Sequence, residues 1–332
     1  MAGPTLSVAM CTLDGAFYLR EQLDSIAAQT RPPDELVVCD DGSTDGTLAI
    51  LEGFAAAAPF PVRIQVNRTT LGTTKNFERG IGLTTGEIIA LADQDDVWYP
   101  HKLERLQQEL AGSERIGLVF SDADVVDDRL RPAGYRLWEA LRAFERHRRL
   151  ITRGRLFEAL VRDNLVTGCT AAFRSDYKDL VIPVPRACAH DSWAALVIAA
   201  VADIARIDAP LLAYRQHDSN QSGLARYRGE HGPGQRMRKP ATDKLRQVER
   251  QAARLQAAYH RLDRNRERFP SSPARLRVLR GAIRHVERRL AILRETSPTR
   301  RALMASWDLA TLRRIRDLEG FRRDPKNAII RT

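Results

Sequence analysis

"EIIALADQDDVWYP", residues 87–100, decides how the rest of the chain is read. Its first half is an apolar run with two isoleucines, suited to a strand buried on both faces. Its second half gathers Asp93, Asp95 and Asp96 ahead of Trp98 and Pro100. Carboxylates crowded where a strand runs out of core repel one another unless something positive joins them. Alternate side chains of an extended backbone share a face, so Asp93 and Asp95 are placed to grip one hard divalent cation. Mg2+ or Mn2+ held by one or two carboxylates completes its shell with water and a substrate diphosphate. The competing reading is an acidic turn in which Asp96 caps a helix beginning near Tyr99.

Upstream, the same alternation of strand and helix recurs. "LSVAMC" precedes "AFYLREQLDSIAAQ", "ELVVCD" precedes "TDGTLAILEGFA", "VRIQV" precedes "TTKNFERGIGL", and the opening stretch precedes "YPHKLERLQQEL". This order predicts an α/β domain with a mostly parallel central sheet, whose ligands bind beyond the carboxyl ends of the strands. "CTLDG", "CDDGSTDG" and "DQDDVW" each follow a strand and should meet on one rim. The second of these imitates a calcium-binding loop, because Asp41, Ser43, Asp45, Gly46 and Glu52 fall at the loop's spacing. Such a loop needs an incoming helix, whereas "PPDELVVC" reads as strand, so the cluster is taken as a turn at Gly42 with Asp45 capping the next helix.

Downstream, "IGLVFSDADVV" reads as a further strand, leading into an Arg-rich helical region. "VTGCTAAFR", "HDSWAALVIAAV" and "PLLAYRQHDSNQSG" then read as strand, helix and strand plus loop. Residues 226–240 are dense in Gly, Pro and Arg and look like a linker. Two apolar seams follow, Leu245-Val248-Ala252-Leu255-Tyr259-Leu262 and Leu276-Leu279-Ile283-Val286-Leu290-Leu293, both at helical spacing. The organisation predicted is a catalytic domain over 1–223, a linker over 224–240 and a basic α-helical region over 241–332.

Charge divides along the same line. The chain of 332 residues carries a net +11, yet residues 224–332 hold 29 Lys and Arg against 11 Asp and Glu, leaving 24 against 31 before them. A basic tail suits an anionic surface, phospholipid or nucleic acid. The tail has few of the interleaved aromatics that nucleic-acid binders use, so nucleic acid is not expected. No stretch approaches the length of a membrane span, and the N-terminus lacks a basic start with a long apolar segment, which predicts a cytoplasmic protein. Cys11, Cys39, Cys169 and Cys188 form no Cys-x-x-Cys pair and read as reduced, mostly core residues. A nucleotidyltransferase would need a glycine-rich basic loop after the first strand, and "CTLDGAFYLREQ" offers one Gly and no Lys.

Seven blocks in order, "VAMCTLDGAFYLREQLDSIAAQT", "DELVVCDDGSTDGT", "NRTTLGTTKNFERGI", "GEIIALADQDDVWYPHKLE", "NLVTGCTAAFR", "HDSW" and "YRQHDSNQSG", resemble glycosyltransferase family 2. These are inverting enzymes of the GT-A fold; the likeness is to bacterial rhamnosyltransferase-like members that build surface polysaccharides such as O-antigen. The resemblance implies a nucleotide-diphosphate sugar donor, with dTDP-rhamnose favoured, and a glycan or lipid-linked acceptor. It implies that Thr12, Asp14, Asp41, Lys75 and Asp93 bind the nucleotide sugar, and that Asp93 and Asp95 hold the divalent cation, with Asp96 a second candidate. Asp191 would be the general base, and Gly168, Cys169 and Thr170 would border the acceptor. His217 has metal or phosphate as a candidate partner, or simply sits in a polar loop; His190 stands beside the base on the acceptor side, and Trp193 reads first as core, with an aromatic face against the acceptor sugar as the alternative. The resemblance ends near residue 224; basic amphipathic helices beyond it are expected to pack on the catalytic domain, and also suit the anionic inner face of the cell membrane.

Overall fold

The computed structural model describes residues 3–218, 220, 241–295, 297, 299 and 304. Strands β1 (Leu6–Thr12), β2 (Glu35–Asp40), β3 (Val62–Val66) and β4 (Ile88–Ala92) alternate with helices α1 (Ala16–Ala27), α2 (Thr47–Ala57) and α3 (Thr73–Leu83). A two-residue strand β5 (Val97–Trp98) precedes α4 (Lys102–Ala111), which therefore starts later than Tyr99, and Asp96 does not cap it. Then come β6 (Ile116–Val126), β7 (Pro132–Arg136), α5 (Leu137–Ala140), α6 (Arg142–Ile151) and α7 (Leu156–Arg162). After these follow β8 (Ala171–Arg174), α8 (Lys178–Val181), α9 (His190–Ala199) and β9 (Asp203–Arg215). Helices α10 (Ala241–Arg264) and α11 (Pro273–Arg294) complete the described chain.

All the strands join one sheet in the order β3-β2-β1-β4-β8-β6-β9-β5, with β7 on β6. The β3-β2-β1-β4 half is parallel, and its register puts Thr12 beside Asp40. Beyond β4 the sheet is mixed, because β8 runs antiparallel to both β4 and β6. The strand expected over "VTGCTAAFR" is shortened to β8, since Gly168–Thr170 forms a 3-10 turn.

Strand periodicity divides the core. On β1 and β4, Ala9, Cys11, Ile89 and Leu91 face one layer, while Leu6, Val8, Met10, Ile88, Ala90 and Ala92 face the other. Each such Leu or Ile taken fully out of water contributes about 1.5–3 kcal/mol. Helices α1 and α4 cover the second face, and α3, α7 and α9 the first. Helices α10 and α11 form a hairpin on that first face, burying Val248, Ala252, Leu255, Ala258, Leu262, Leu279 and Val286 in the same core. Ion pairs Arg268–Asp179 (2.5 Å) and Arg275–Asp203 (2.8 Å) tie the hairpin to the sheet domain. The linker read at 224–240 lies outside the described residues, and so does most of the chain after 295. All four cysteines are buried free thiols.

Candidate active site

The rim at the ends of β1 and β2 is a closed hydrogen-bond system. Asp40 Oδ2 accepts from the hydroxyls of Thr12 and Ser43, both at 2.6 Å, and Oδ1 accepts the amides of Gly42 and Ser43. Gly42 has φ +89, a left-handed conformation that glycine adopts freely, so the chain turns there as expected. Asp45 accepts the amide of Thr47 at 2.9 Å and holds the start of α2. Asp14, exposed at the mouth of this rim, accepts the amide of Thr44 at 2.7 Å. Asp41 is 2% exposed, and its carboxylate accepts the amides of Leu71 and Gly72 and the side-chain amide of Asn67, at 2.7–2.8 Å. Asp41, expected as a nucleotide ligand, already accepts three donors from the segment ahead of α3, two on Oδ1 and one on Oδ2. Lys75 is likewise turned away, its ammonium bonded to Glu78 (2.6 Å) and to the carbonyl of Val184 (2.8 Å).

The β4 rim contrasts with this. The chain bends at Gln94 and Asp95, so the extended alternation stops at Ala92 and the three acids part company. Asp93, Asp96 and Cys169 bring their ligand atoms within 4.8 Å of one another. Asp95 stands outside that group: its Oδ2 meets His217 Nε2 at 2.9 Å and lies 3.5 Å from the side-chain amide of Asn220, while its charge still reaches Asp93 and Asp96. The expected pairing of Asp93 with Asp95 on one face is thereby corrected. Burial raises the Asp93 carboxyl well above the usual range, with the charges of Asp96, Asp95 and Asp191 adding to it. Asp96, fully buried, is pushed up to about 7 by burial and then by Asp95. One of its oxygens accepts the amide of Arg215 at 3.1 Å, while the other has no hydrogen-bond donor.

A fixed cation already stands in this cluster. Lys102, fully buried, donates to the carbonyl of Cys169 and lies 4.2 Å over the Trp98 ring. Burial lowers its pKa to about 8, against the pull of Cys169, Asp96 and Asp93. Arg215, 2% exposed, ties the loop from the opposite side: its Nε donates to the carbonyl of Asp95 at 2.7 Å, and it pairs with Glu21. Its guanidinium lies 4.6 Å over Tyr18, which in turn stacks on His217. Gln94 clips the two rims together, its amide exchanging hydrogen bonds with both backbone groups of Leu13 at 2.8 and 3.0 Å. A side chain at Gly15 would collide with that amide, its Cβ coming within 2.3 Å of Gln94 Oε1.

The orphan oxygen of Asp96, the raised carboxyls and the facing Asp95–His217 pair fit a divalent cation. Asp93 and Asp96, with the Asp95–His217 pair as further candidates, supply oxygen and imidazole donors suited to Mg2+ or Mn2+. Cys169 suits them poorly: a soft sulfur, whose thiol burial holds protonated. Lys102, fully buried, balances charge behind them.

Asp191 lies in the first turn of α9. Its charge reaches Asp93, and a Cβ added at Gly168 would lie 3.7 Å from its own. The N-cap of α9 is Ala189, so Asp191 is not the capping residue. His190 stacks on Phe77 with ring centroids 3.9 Å apart, and its buried Nε2 has no partner. That nitrogen would sit 2.7 Å from a Cβ at Gly168, so only glycine fits there. Trp193 takes the core reading and not the acceptor-side one: it is wholly buried and donates its indole N–H to the carbonyl of Val181 at 2.7 Å. Thr170 is buried as well, its hydroxyl bonded to the carbonyl of Thr167.

Sequence reasoning missed Lys102, Gln94 and Arg215. The last stands within the quoted "YRQHDSNQSG", where an arginine two residues before His217 was the available signal.

The chain is similar to known glycosyltransferases in sequence and in fold. The family model for glycosyl transferase family 2 matches residues 7–181. An uncharacterised glycosyltransferase of Nostoc is 34% identical over 122 residues, 37% of either chain. The dTDP-rhamnosyl transferase RfbG of Shigella flexneri is 29% identical over 232 residues, covering 64% of this chain and 73% of its own. The chain spans about a third of the length of the first curated relatives it matches. Among solved structures, Staphylococcus aureus TarS 1-349 in complex with UDP-GlcNAc superposes with a TM-score of 0.55 at 15% identity, over 96% of this chain and 93% of that one. The mannosyltransferase PcManGT of Pyrobaculum calidifontis, in complex with GDP-Man and Mn2+, gives 0.51 at 19% identity, over 96% and 84%. Among the described residues no helix is long and apolar enough to cross a membrane.

Proposed function

The chain belongs to glycosyl transferase family 2, and from that premise we propose how its site moves a sugar and to what. It is a nucleotide-sugar glycosyltransferase of GT-A type. In the proposed step Asp191 takes the proton of an acceptor hydroxyl. The freed oxygen bonds to the anomeric carbon while that carbon's bond to the diphosphate breaks on the opposite face, so configuration inverts. The observation that carries this reading is the position of Asp191, at the start of α9 beside Asp93 and against Gly168. A divalent cation, Mg2+ or Mn2+, would be held by Asp93 and Asp96, with Asp95 and His217 as further ligands, and supply positive charge for the departing diphosphate. Arg215 and Asn220 orient the Asp95–His217 pair, and Lys102 balances Asp96 behind it. Thr12 and Asp14 border the nucleoside end of the cleft, and the orphan Nε2 of His190 faces the acceptor side.

The donor we favour is dTDP-rhamnose, a reading supported by the likeness to RfbG. The acceptor is a glycan or lipid-linked glycan in cell-surface polysaccharide synthesis. In this reading residues 1–223 are the catalytic part and the helices after 240 an extension on it. The exposed arginines Arg277, Arg280 and Arg284 would meet an anionic inner membrane face.

A panel of dTDP-rhamnose, UDP-N-acetylglucosamine and GDP-mannose, each with and without Mn2+, tests the donor by thermal stabilisation, since a ligand bound only by the folded state raises its stability. The largest shift is expected for dTDP-rhamnose with Mn2+; a larger one with either rival replaces the donor. Asp191→Asn is expected to keep donor binding and lose turnover. Transfer at the parental rate by that variant removes the base assignment.

A further inference from the structure

The helical extension reaches the first turn of α9 through one residue, Arg254. Only 8% of it is exposed, and burying a guanidinium in an apolar core is costly unless its donors are paired. Nη1 donates to the hydroxyl of Ser192 at 2.6 Å, and Nη2 donates to the carbonyls of Leu160 (3.0 Å) and Val161 (3.2 Å). One turn earlier on the same face of α10, Gln251 donates to the carbonyl of Arg162 at 2.8 Å. The last carbonyls of α7, which no helical amide can reach, are thus capped from the extension. The chain leaving α7 runs directly to Gly168, where a side chain would collide with His190 and touch Asp191. Arg254 therefore joins the two segments that meet at Asp191: the approach to Gly168 and the start of α9. Ser192, which it holds, is next to Asp191 in sequence and gives its amide to the Asp191 carboxylate.

We propose that Arg254 is a positioning residue for Asp191, which makes the helical extension a working part of the active site. The inference rests on the reading of Asp191 as general base. A methionine of similar length would fill the same space without the desolvation of a buried charge, so packing alone does not account for a guanidinium here. Its fork fixes one hydroxyl and two carbonyls at once, which an ammonium cannot do.

The test compares Arg254→Met, Arg254→Lys, Ser192→Ala and Asp191→Asn in the full chain. Donor affinity is read by calorimetry, and turnover as release of nucleoside diphosphate from whichever of the three sugar nucleotides the thermal panel selects. Arg254→Met is expected to hold donor affinity within about twofold while kcat falls on the order of 10²-fold, the cost of misplacing a reacting group by about 1 Å. Arg254→Lys should recover part of that loss. Added to Asp191→Asn, Arg254→Met should cost little more, because both act on one step. Parental kcat in Arg254→Met, or an equal further loss in the Asp191→Asn background, overturns the inference while leaving the base assignment standing. Parental kcat in Asp191→Asn overturns both. Should Arg254→Met fail to fold by circular dichroism, Ser192→Ala decides: a drop of about tenfold in kcat with unchanged donor affinity supports the link, and unchanged kcat sinks it.

Discussion

Two acid clusters end the parallel strands that flank β1 in this sheet, and they have opposite characters. At the end of β2, Asp41 is 2% exposed yet accepts three donors, two of them backbone amides. At the end of β4, Asp96 is wholly buried with a single bonded oxygen, and Asp93 beside it is driven toward its neutral form. A count of carboxylates does not distinguish these places; the supply of N–H groups does. The first cluster is largely satisfied by its own loops. The second is left short of donors, as a site must be if it is to accept a cation and a diphosphate.

The contrast is broken most directly by making the same substitution in both places. Asp93→Asn is expected to cut turnover by about 10²–10³-fold, the scale lost when charge stabilisation of a leaving group is removed. Turnover per folded molecule in Asp41→Asn should stay within about tenfold of the parent. Equal losses in steady-state kinetics would mean that both acids touch the donor and that the division drawn here is false.

Stability should move in opposite directions. Asp41→Asn leaves amides of the 71–72 loop without a carboxylate and should cost about 2 kcal/mol in urea denaturation. Asp93→Asn relieves like-charge crowding and should gain about 1 kcal/mol, the usual trade between a working site and a stable one. A destabilised Asp93→Asn would argue that Lys102 already neutralises the cluster and that Asp93 is structural.

A smaller effect concerns the cation. Mn2+ alone should raise the melting temperature of the parent by a few degrees, about 1 kcal/mol for a domain of this size, and leave Asp93→Asn unmoved. An equal rise in both variants would place the ion elsewhere.

The smallest effect is on pH. The folded protein keeps the Asp96 proton up to about pH 7, while an unfolded aspartate releases it near pH 4. Between those values the native state binds more protons, so cation-free stability should fall as pH rises. Asp96→Asn should flatten that slope; an unchanged slope would assign it to other groups.

Much of the architecture was legible because periodicity is a local property. The β-branched runs before "CTLDG", "CDDGSTDG" and "DQDDVW" are strands, and their carboxyl ends share a rim as the parallel arrangement requires. The two apolar seams of the tail are a buried hairpin, since a stripe of that width must cover something. The pairing of acids was misread for an equally local reason. Alternation holds only while the backbone stays extended, and the bend at Gln94 and Asp95 sends Asp95 to His217 and Asp93 to Asp96. The partners of Asp41, Lys75 and Trp193, namely Gly72, Val184 and Val181, are set by packing between elements and carry no local signal.

By itself the sequence determined the order of strands and helices, the carboxylate-bearing strand ends and the division between an acidic body and a basic tail, because each depends on residue type and spacing along the chain. Only the tertiary structure decided which acid is satisfied and which is left wanting, that Lys102 and Arg215 brace the site, and that Arg254 from the tail reaches Ser192 beside Asp191. Hydrogen bonds and charge pairs join atoms far apart in the chain, and their balance against desolvation exists only once the fold has brought them together.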